Sequence, residues 1–199
     1  LGYLGSFWSC FFSDDGMGVS ARRLPRRSHP IQTGQRQYVY NGGIGKIVTL
    51  MDINLTQEAT SQRSPIPSES PEVSVIMLVY NHAEYLDRAI EGVISQQTNF
   101  NFELLIGEDH STDSSLAVVA RWRDLYPNII RVITSTKNIG MMQNLRRLIV
   151  AKRGKYLAYC EGDDYWQDQK KLQIQVDFLR MHPEHGAVYT DYDHIIFRY

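Results

Sequence analysis

A cluster of three acidic residues at positions 161–164 has the composition of a binding site for a divalent metal ion. Glu161, Asp163 and Asp164 fall within four residues, directly after an apolar segment. Carboxylates packed this closely repel one another, and each loses solvation when it is buried. A hard cation such as Mg²⁺ or Mn²⁺ relieves the repulsion and keeps coordination positions open for phosphate oxygens. We predict that Asp163 and Asp164 bind the metal ion and that Glu161 and Asp163 contact the bound ligand.

Three further polar groups suit a nucleotide as that ligand. Tyr80 and Asn81 follow another apolar segment, and the Tyr80 ring could stack on a base. Asp109 follows a third segment, where its carboxylate could accept a hydrogen bond from the N3–H of uracil or thymine. Asn144 and Arg147 lie on a predicted helix that could face a diphosphate. We therefore assign these five residues to a site for a ribonucleotide and a divalent ion.

Each of these assignments has a simpler structural alternative. The acids of 161–164 could cap the helix that follows them, although Asp168 is better placed for that role. Asp109 could cap the next helix, and the Tyr80 ring could serve only for packing. The two residues on the later helix could be ordinary solvent-facing positions of an amphipathic segment.

Apolar and amphipathic segments alternate from residue 73 onward, and this alternation places the polar turns at strand ends. Val73–Val79 is almost entirely apolar, as expected of a strand covered on both faces. Further strands are predicted at 103–107, 129–134, 155–160 and 186–190, and helices at 83–97, 112–126, 139–152 and 167–181. The alternation predicts an α/β fold with a Rossmann-like, mainly parallel sheet and helices on both faces. Ligands of such sheets bind beyond the carboxyl ends of the strands.

The composition is that of an ordinary globular protein. The 199 residues carry a net charge of −1, which gives no indication of nucleic acid as a partner. The two cysteines exclude a disulfide framework and a cysteine-rich zinc site, and they fit a cytoplasmic location. No apolar run approaches the roughly 20 residues needed to cross a bilayer. We expect no transmembrane segment, and peripheral membrane contact stays compatible with the sequence.

The chain divides near residue 71 into two parts that differ in composition and in hydrophobic pattern. Residues 1–71 mix Gly, Ser, Arg and Pro without a sustained period and end in a serine- and proline-rich linker. We expect a poorly ordered segment there. Met51 opens a stretch that reads as an N-terminus, and we expect the native chain to start at that residue. Residues 72–199 form the predicted ligand-binding domain.

The motifs of this domain, in their order and spacing, resemble those of the family 2 glycosyltransferases, which are inverting enzymes with the A-type fold. The matching segments are 73–76, 80–81, 108–113, 138–140, 153–156 and 161–166. The last of these reads EGDDYW and, with the later residues 171–179, is similar to a bacterial subgroup of the family.

The resemblance implies transfer of a sugar from a nucleoside diphosphate sugar to an acceptor hydroxyl, assisted by Mg²⁺ or Mn²⁺. It places Tyr80 and Asp109 at the nucleobase and Asp163 and Asp164 in the metal–diphosphate motif, whereas Glu161 stands where many relatives have Asp. It also implies a hexosyltransferase of polysaccharide biosynthesis, with a UDP- or dTDP-linked donor and a carbohydrate or lipid-linked acceptor. In relatives the catalytic base lies well after the metal motif. We therefore expect the fold to be C-terminally incomplete, the base to be absent and the chain alone to transfer sugar poorly.

Two other functions compete with a transferase. A non-catalytic module that only binds nucleotide sugars would carry the same motifs on the same fold. A dinucleotide-dependent oxidoreductase would share the order of elements. The turn at 80–84 contains no glycine, however, so a pyrophosphate could not approach the following helix closely.

Overall fold

The computed structural model describes residues 10–13, 37–39 and 70–190, which form seven strands and four helices. The strands are β1 (Cys10–Ser13), β2 (Gln37–Val39), β3 (Val73–Val79), β4 (Phe102–Glu108), β5 (Ile130–Thr134), β6 (Tyr156–Tyr159) and β7 (Ala187–Thr190). The helices are α1 (Leu86–Ile94), α2 (Ser115–Leu125), α3 (Met141–Ala151) and α4 (Lys171–Met181). Every strand and helix predicted between residues 73 and 190 is present.

The strands form one sheet in the order β2-β7-β1-β6-β3-β4-β5. β6, β3, β4 and β5 run parallel to one another, whereas β1 pairs antiparallel with β6 and β7, and β2 pairs antiparallel with β7. The prediction of an α/β fold with a mainly parallel sheet is confirmed. The loops that follow the four parallel strands lie at one edge of the sheet, which we call the carboxyl edge.

The N-terminal strands lie within the segment that the sequence predicts to be poorly ordered. The rest of that segment, with Met51 and the proline-rich linker, lies outside the described residues, as do residues 191–199. The extent of order before residue 70 therefore stays a prediction. In the part that is described, no helix is long and apolar enough to cross a bilayer.

Alternate residues of the parallel strands pack on opposite faces of the sheet, as a side-chain period of two requires. On one face, Val75, Met77 and Leu104 belong to the larger hydrophobic cluster, to which α1, α2 and α4 contribute. On the other face, Ile76 and Leu105 pack with residues of α3 in a smaller cluster. Helices therefore cover both faces, as predicted, and the parallel strands are buried on both sides.

Each helix begins two to four residues later than its hydrophobic pattern predicts, because the preceding residues form structured loops. The loop before α2 shows this best. The Asp113 carboxylate accepts the backbone N–H of Ser115 at 2.8 Å and that of Ala83, in another loop, at 3.0 Å. Asp113 thus links the loop after β3 to the loop after β4, and residues 112–114 are not available to the helix.

A buried charge network ties the strands together at the edge opposite the carboxyl edge. The Glu103 side chain is 1% exposed and accepts hydrogen bonds from Ser74 Oγ at 2.6 Å and Arg131 Nη1 at 2.7 Å. Arg153 adds its backbone N–H at 3.0 Å and its guanidinium Nε at 2.9 Å. A buried charge persists only when it is paired and hydrogen-bonded, and Glu103 meets both conditions.

Candidate functional site

The chemistry-bearing loops converge at the carboxyl edge because their strands are adjacent in the sheet. The loop after β6 lies beside the loop after β3, which lies beside the loop after β4. Backbone hydrogen bonds continue past the strand ends, from Gly162 N to Leu78 O at 3.2 Å and from Asp109 N to Val79 O at 2.9 Å. The structure therefore brings the acidic turn, Tyr80 and the Asp109 loop into one row.

The acidic turn, defined as residues 161–164, presents its two aspartates outward. Asp163 and Asp164 are exposed, whereas Glu161 is half-buried and Gly162 is buried. The turn is closed by a hydrogen bond from Asp164 N to Glu161 O at 3.2 Å. No lysine or arginine among residues 70–190 forms an ion pair with Asp163. The Asp163 carboxylate therefore stays available to an external cation.

The pKa values of Glu161 and Tyr159 are both raised, in part by the other negative charges of the turn. Burial raises the pKa of Glu161, and the neighbouring Asp163 charge raises it further, against a hydrogen bond that Tyr159 Oη donates at 3.1 Å. Burial, together with the Glu161 carboxylate, also raises the pKa of the Tyr159 phenol far above its usual range. These groups resist additional negative charge, so a bound cation would relieve them.

The arrangement limits how many of these carboxylates could share one ion. Within residues 70–190, the three acids of the turn do not bring one oxygen each to within 4.8 Å of one another. The turn as it stands fits a cation held by one or two protein carboxylates, with the remaining positions left to phosphate or water.

Gly162 lies too close to its surroundings to carry a side chain. A Cβ at this position would lie 2.6 Å from His82 Nδ1 and 3.0 Å from the Leu78 carbonyl oxygen. His82 Nδ1 is itself buried and has no hydrogen-bond partner among the described residues. The His82 ring therefore packs under the acidic turn and helps to set its height above the sheet.

Asp109 is 2% exposed and binds the chain itself. Its Oδ1 accepts Ser135 Oγ at 3.0 Å and Ile139 N at 2.9 Å, and its Oδ2 accepts Gly140 N at 2.9 Å. An ionised carboxylate offers about four acceptor positions, and the described residues occupy three of those of Asp109. The alternative prediction is that Asp109 caps the next helix, α2. Asp109 instead accepts backbone N–H groups directly before α3.

Tyr80 and Asn81 differ in their availability. The Tyr80 ring is 43% exposed at the carboxyl edge, where a planar base could stack on it. Asn81 has a left-handed backbone with φ of 58°. Its Oδ1 accepts Thr112 N at 2.8 Å and Thr112 Oγ1 at 3.2 Å, so this side chain joins two loops.

Asn144 and Arg147 brace the end of β4 from the side of α3. Asn144 is 2% exposed and donates from Nδ2 to Gly107 O at 2.7 Å. Arg147 donates from Nη2 to Glu108 O and from Nε to Asn144 Oδ1, each at 2.8 Å. Burial lowers the pKa of the Arg147 guanidinium, and the Asp109 and Glu108 carboxylates oppose this shift. Both side chains therefore support the Asp109 loop directly, and a diphosphate contact for them stays a prediction.

Sequence reasoning gave no role to three residues that shape the site. Glu108 is 1% exposed and accepts Ser111 N at 2.6 Å, which folds the loop after β4. Gln96 lies two residues after α1 and donates from Nε2 to Asp168 O at 2.8 Å, in the loop that follows the acidic turn. Gly140, with φ of 84°, presents its N–H to Asp109. Only Gly140 carried a usable signal, because a glycine directly before a helical pattern often marks a special backbone conformation.

A comparison with protein families matches most of the chain from residue 74 onward. A family described as glycosyl transferase family 2 matches residues 74–196. An uncharacterized protein of Mycobacterium tuberculosis is 41% identical over 112 residues, which cover 56% of this chain and 32% of that protein. The putative glycosyltransferase EpsE of Bacillus subtilis is 32% identical over 123 residues, which cover 62% of this chain and 44% of EpsE. The chain thus spans less than half the length of these relatives.

Two solved structures share the fold at low sequence identity. A mannosyltransferase of Pyrobaculum calidifontis in complex with GDP-Man and Mn²⁺ superposes with a TM-score of 0.50 at 22% identity, over 60% of this chain and 35% of that one. TarS 1-349 of S. aureus in complex with UDP superposes with a TM-score of 0.50 at 23% identity, over 56% of this chain and 33% of that one. Both likenesses show the shared α/β fold for the part of the chain that superposes. With its motifs at one edge of that sheet and the family match over 74–196, the chain belongs to glycosyl transferase family 2.

Proposed function

We propose that the protein transfers a sugar, of the hexosyl type, from a nucleoside diphosphate donor to an acceptor hydroxyl, with a divalent metal ion and with inversion at the anomeric carbon. The single observation that carries this proposal is the exposed acidic turn, which lies beside Tyr80 and the Asp109 loop in a chain of family 2. The acidic turn and the loops of Tyr80 and Asp109 follow adjacent strands, so one ligand could contact all three.

The nucleotide would lie along the carboxyl edge. Tyr80 offers an exposed ring for the base, and Asp109 would accept its N3–H, which favours uracil or thymine. Asp163 and Asp164 would hold Mg²⁺ or Mn²⁺, for which carboxylate oxygens are suitable ligands. When bound, such an ion offsets the charge on a departing diphosphate. Glu161, Asn81, Asn144 and Arg147 would complete the site by contact with the ligand or by holding its loops.

The ligands and names of related proteins support the substrate class. The Pyrobaculum structure contains GDP-Man with Mn²⁺, and TarS structures contain UDP or UDP-GlcNAc. A further relative is named as a minor teichoic acid biosynthesis protein of Bacillus subtilis. We infer a carbohydrate or lipid-linked acceptor and a role in polysaccharide biosynthesis. Inverting transfer needs a carboxylate that removes the acceptor's proton, and we assign that role to none of the described residues.

Calorimetric titration of UDP, dTDP, GDP and ADP, each with and without Mn²⁺, tests the proposal. We expect Mn²⁺-dependent binding that favours UDP or dTDP and falls at least about tenfold in Asp163→Ala or Asp164→Ala, equivalent to about 1.4 kcal/mol or more. Asp124→Ala is the matched control, because Asp124 is an exposed aspartate on α2 whose only ion pair within residues 70–190 is with Arg123. Its nucleotide affinity should be unchanged.

Two outcomes would contradict the proposal. Binding that is independent of Mn²⁺ and equal in all three variants would remove the metal assignment. Nucleotide-sugar binding without donor hydrolysis or transfer to any carbohydrate acceptor, in a protein of the relatives' full length, would favour a non-catalytic binding module instead.

A further inference from the structure

A second group of potential metal ligands lies at the end of α4, far from the acidic turn. His182, Glu184 and His185 each offer one donor atom within 4.8 Å of the donor atoms of the other two. This is the only such group of three found within residues 70–190. It combines two imidazoles with one carboxylate, which is a ligand set typical of zinc and similar divalent ions.

The spacing of the donor atoms fits a common tetrahedral ion. Glu184 Oε1 lies 3.4 Å from His182 Nδ1 and 3.7 Å from His185 Nε2. Ligand atoms bound to a tetrahedral zinc at about 2.0–2.1 Å lie roughly 3.3–3.4 Å apart along each edge. Both carboxylate–imidazole distances therefore lie within about 0.4 Å of a tetrahedral edge, and the two imidazole donor atoms lie within 4.8 Å of each other.

The backbone holds the three residues in one short turn. His185 N donates to His182 O at 3.0 Å, and His182 N donates to Phe178 O at 3.0 Å, so the turn is fixed to the last turn of α4. Pro183 lies inside it and restricts the backbone further. A site whose ligands are already ordered loses little conformational entropy when an ion binds.

Aromatic packing orients the two imidazoles. The Phe178 ring stacks on the His185 ring at 5.7 Å with an angle of 3° between the planes, and it contacts the His182 ring at 4.5 Å. His185 Nδ1 is buried without a partner among the described residues. The accessible nitrogen of His185 is therefore Nε2, the atom that faces Glu184.

From this geometry we propose that His182, Glu184 and His185 bind a zinc-like divalent ion, with the fourth position left to water, and that the ion stabilises the turn between α4 and β7. This cluster is separate from the proposed nucleotide site at the carboxyl edge. Arg180 pairs at 2.6 Å with Glu72, which directly precedes β3, so the end of α4 lies at the edge opposite the carboxyl edge. The proposal therefore goes beyond the transferase function and does not depend on it.

Calorimetric titration with Zn²⁺ alone, followed by thermal unfolding with and without Zn²⁺, tests this site. The intact chain should bind Zn²⁺ and gain in Tm, because an ion that binds only the folded state stabilises it. Glu184→Gln and His182→Gln each remove one ligand at an exposed position and should weaken that binding at least about tenfold. Glu91→Gln, at an exposed position on α1, is the matched control and should bind as the intact chain does.

A nitrogen-15 spectrum of the histidine rings provides an independent measurement. On addition of Zn²⁺, the His185 signal should show coordination at Nε2 with the proton on Nδ1. Zn²⁺ affinity and Tm gain that are equal in the intact chain, Glu184→Gln and His182→Gln would overturn the proposal. Asp163→Ala should keep the Zn²⁺ effect on Tm, so that failure at this cluster and failure at the acidic turn are distinguishable.

Discussion

Gly162 is the residue at which the acidic turn has the least steric freedom. A Cβ there would collide with His82 Nδ1 at 2.6 Å and with a backbone oxygen at 3.0 Å. We predict that Gly162→Ala lowers the free energy of unfolding by about 1–3 kcal/mol, the usual cost of an inserted methyl group in a packed position. Urea denaturation of the two proteins measures the difference.

A double-mutant cycle identifies His82 as the group that is displaced. His82→Ala removes the closer of the two contacts, so Gly162→Ala should cost less in that background than in the intact chain. The Leu78 oxygen remains, and we therefore expect partial relief only. Equal costs in the two backgrounds would mean that the ring does not support the turn.

Glu103 is the residue whose charge contributes most clearly to stability. Burial alone raises its pKa, but the hydrogen bonds from Ser74, Arg131 and Arg153 together outweigh burial, so the pKa lies below the ordinary value of 4.5. Its contribution to stability is therefore complete above about pH 4.5 and is lost as the pH falls through the folded-state pKa.

We predict that Glu103→Gln destabilises the fold by about 3 kcal/mol at pH 7. This is the lower end of the range for a broken buried ion pair, since both arginines keep partial exposure to water. Denaturant unfolding at pH 7 and pH 4 measures the effect, and the difference between the two proteins should shrink at pH 4. Asp124→Asn, which breaks the exposed pair with Arg123, should change stability by no more than about 0.5 kcal/mol.

Residue types and their spacing predicted which side chains reach the carboxyl edge, but not what each of them binds. Asp163 and Tyr80 are exposed there, as a ligand requires. Asp109, Asn81 and Asn144 are committed to hydrogen bonds with residues about 30 positions away in sequence. Such contacts depend on the distance between loops in space, and a hydrophobic pattern carries no information about that distance.

Among the elements, α1 and α4 are joined by one buried side chain that also supports the loop after the acidic turn. Gln96 donates from Nε2 to Asp168 O at 2.8 Å and accepts Leu172 N at Oε1 at 2.9 Å. Gln96 Nε2 also donates to Gly92 O, in α1, at 3.2 Å. The start of α4, whose first residues have no side-chain cap, depends on this contact.

We predict that Gln96→Ala costs about 1–3 kcal/mol of stability, because it removes the acceptor of the buried Leu172 N–H. The neighbouring Gln97 offers a matched control, since its Nε2 bonds to Gln169 at the exposed surface. Gln97→Ala should cost less than about 0.5 kcal/mol in the same denaturant titration. A similar loss in the free energy of unfolding for the two variants would show that the buried Gln96 contact stabilises the fold no more than an exposed one.

The elements themselves were predictable because hydrophobic periodicity is strong in this domain. Buried parallel strands such as β3 give continuous apolar runs, and α1 buries Leu86, Ile90 and Val93 at helical spacing. Helix starts were less accurate, because loop residues such as Asp113 bind neighbouring loops instead of extending the helix. The position of β1 in the sheet could not be predicted, since three to four residues without periodicity give no signal of strand pairing.

At the scale of the whole molecule, the sheet depends on a strand from the N-terminal part of the chain. β1 lies between β6 and β7 and pairs with both, so these two strands have no direct contact in the sheet. We predict that a variant beginning at Met51, which lacks β1 and β2, has a lower Tm than the full chain. Each freed strand edge would expose unpaired backbone groups.

Differential scanning calorimetry of the two proteins measures this effect, and sedimentation velocity shows whether the shorter one self-associates. An equal Tm with no association would show that β1 is dispensable for the stability of the sheet. Deletion of residues 1–9 alone is the control, because it leaves both N-terminal strands in place.

The same strand order has a consequence for the kinetics of folding. β3 to β6 are linked by crossovers of short sequence separation, whereas Phe11 must find Ala158 across most of the chain. Contacts of high sequence separation form late, since their loop-closure entropy is recovered only when the pairing is made. Refolding should therefore begin with the parallel strands β6, β3, β4 and β5 and end with the addition of β1, through a late intermediate whose β6 edge is free. The yield of refolded protein should fall as its concentration rises.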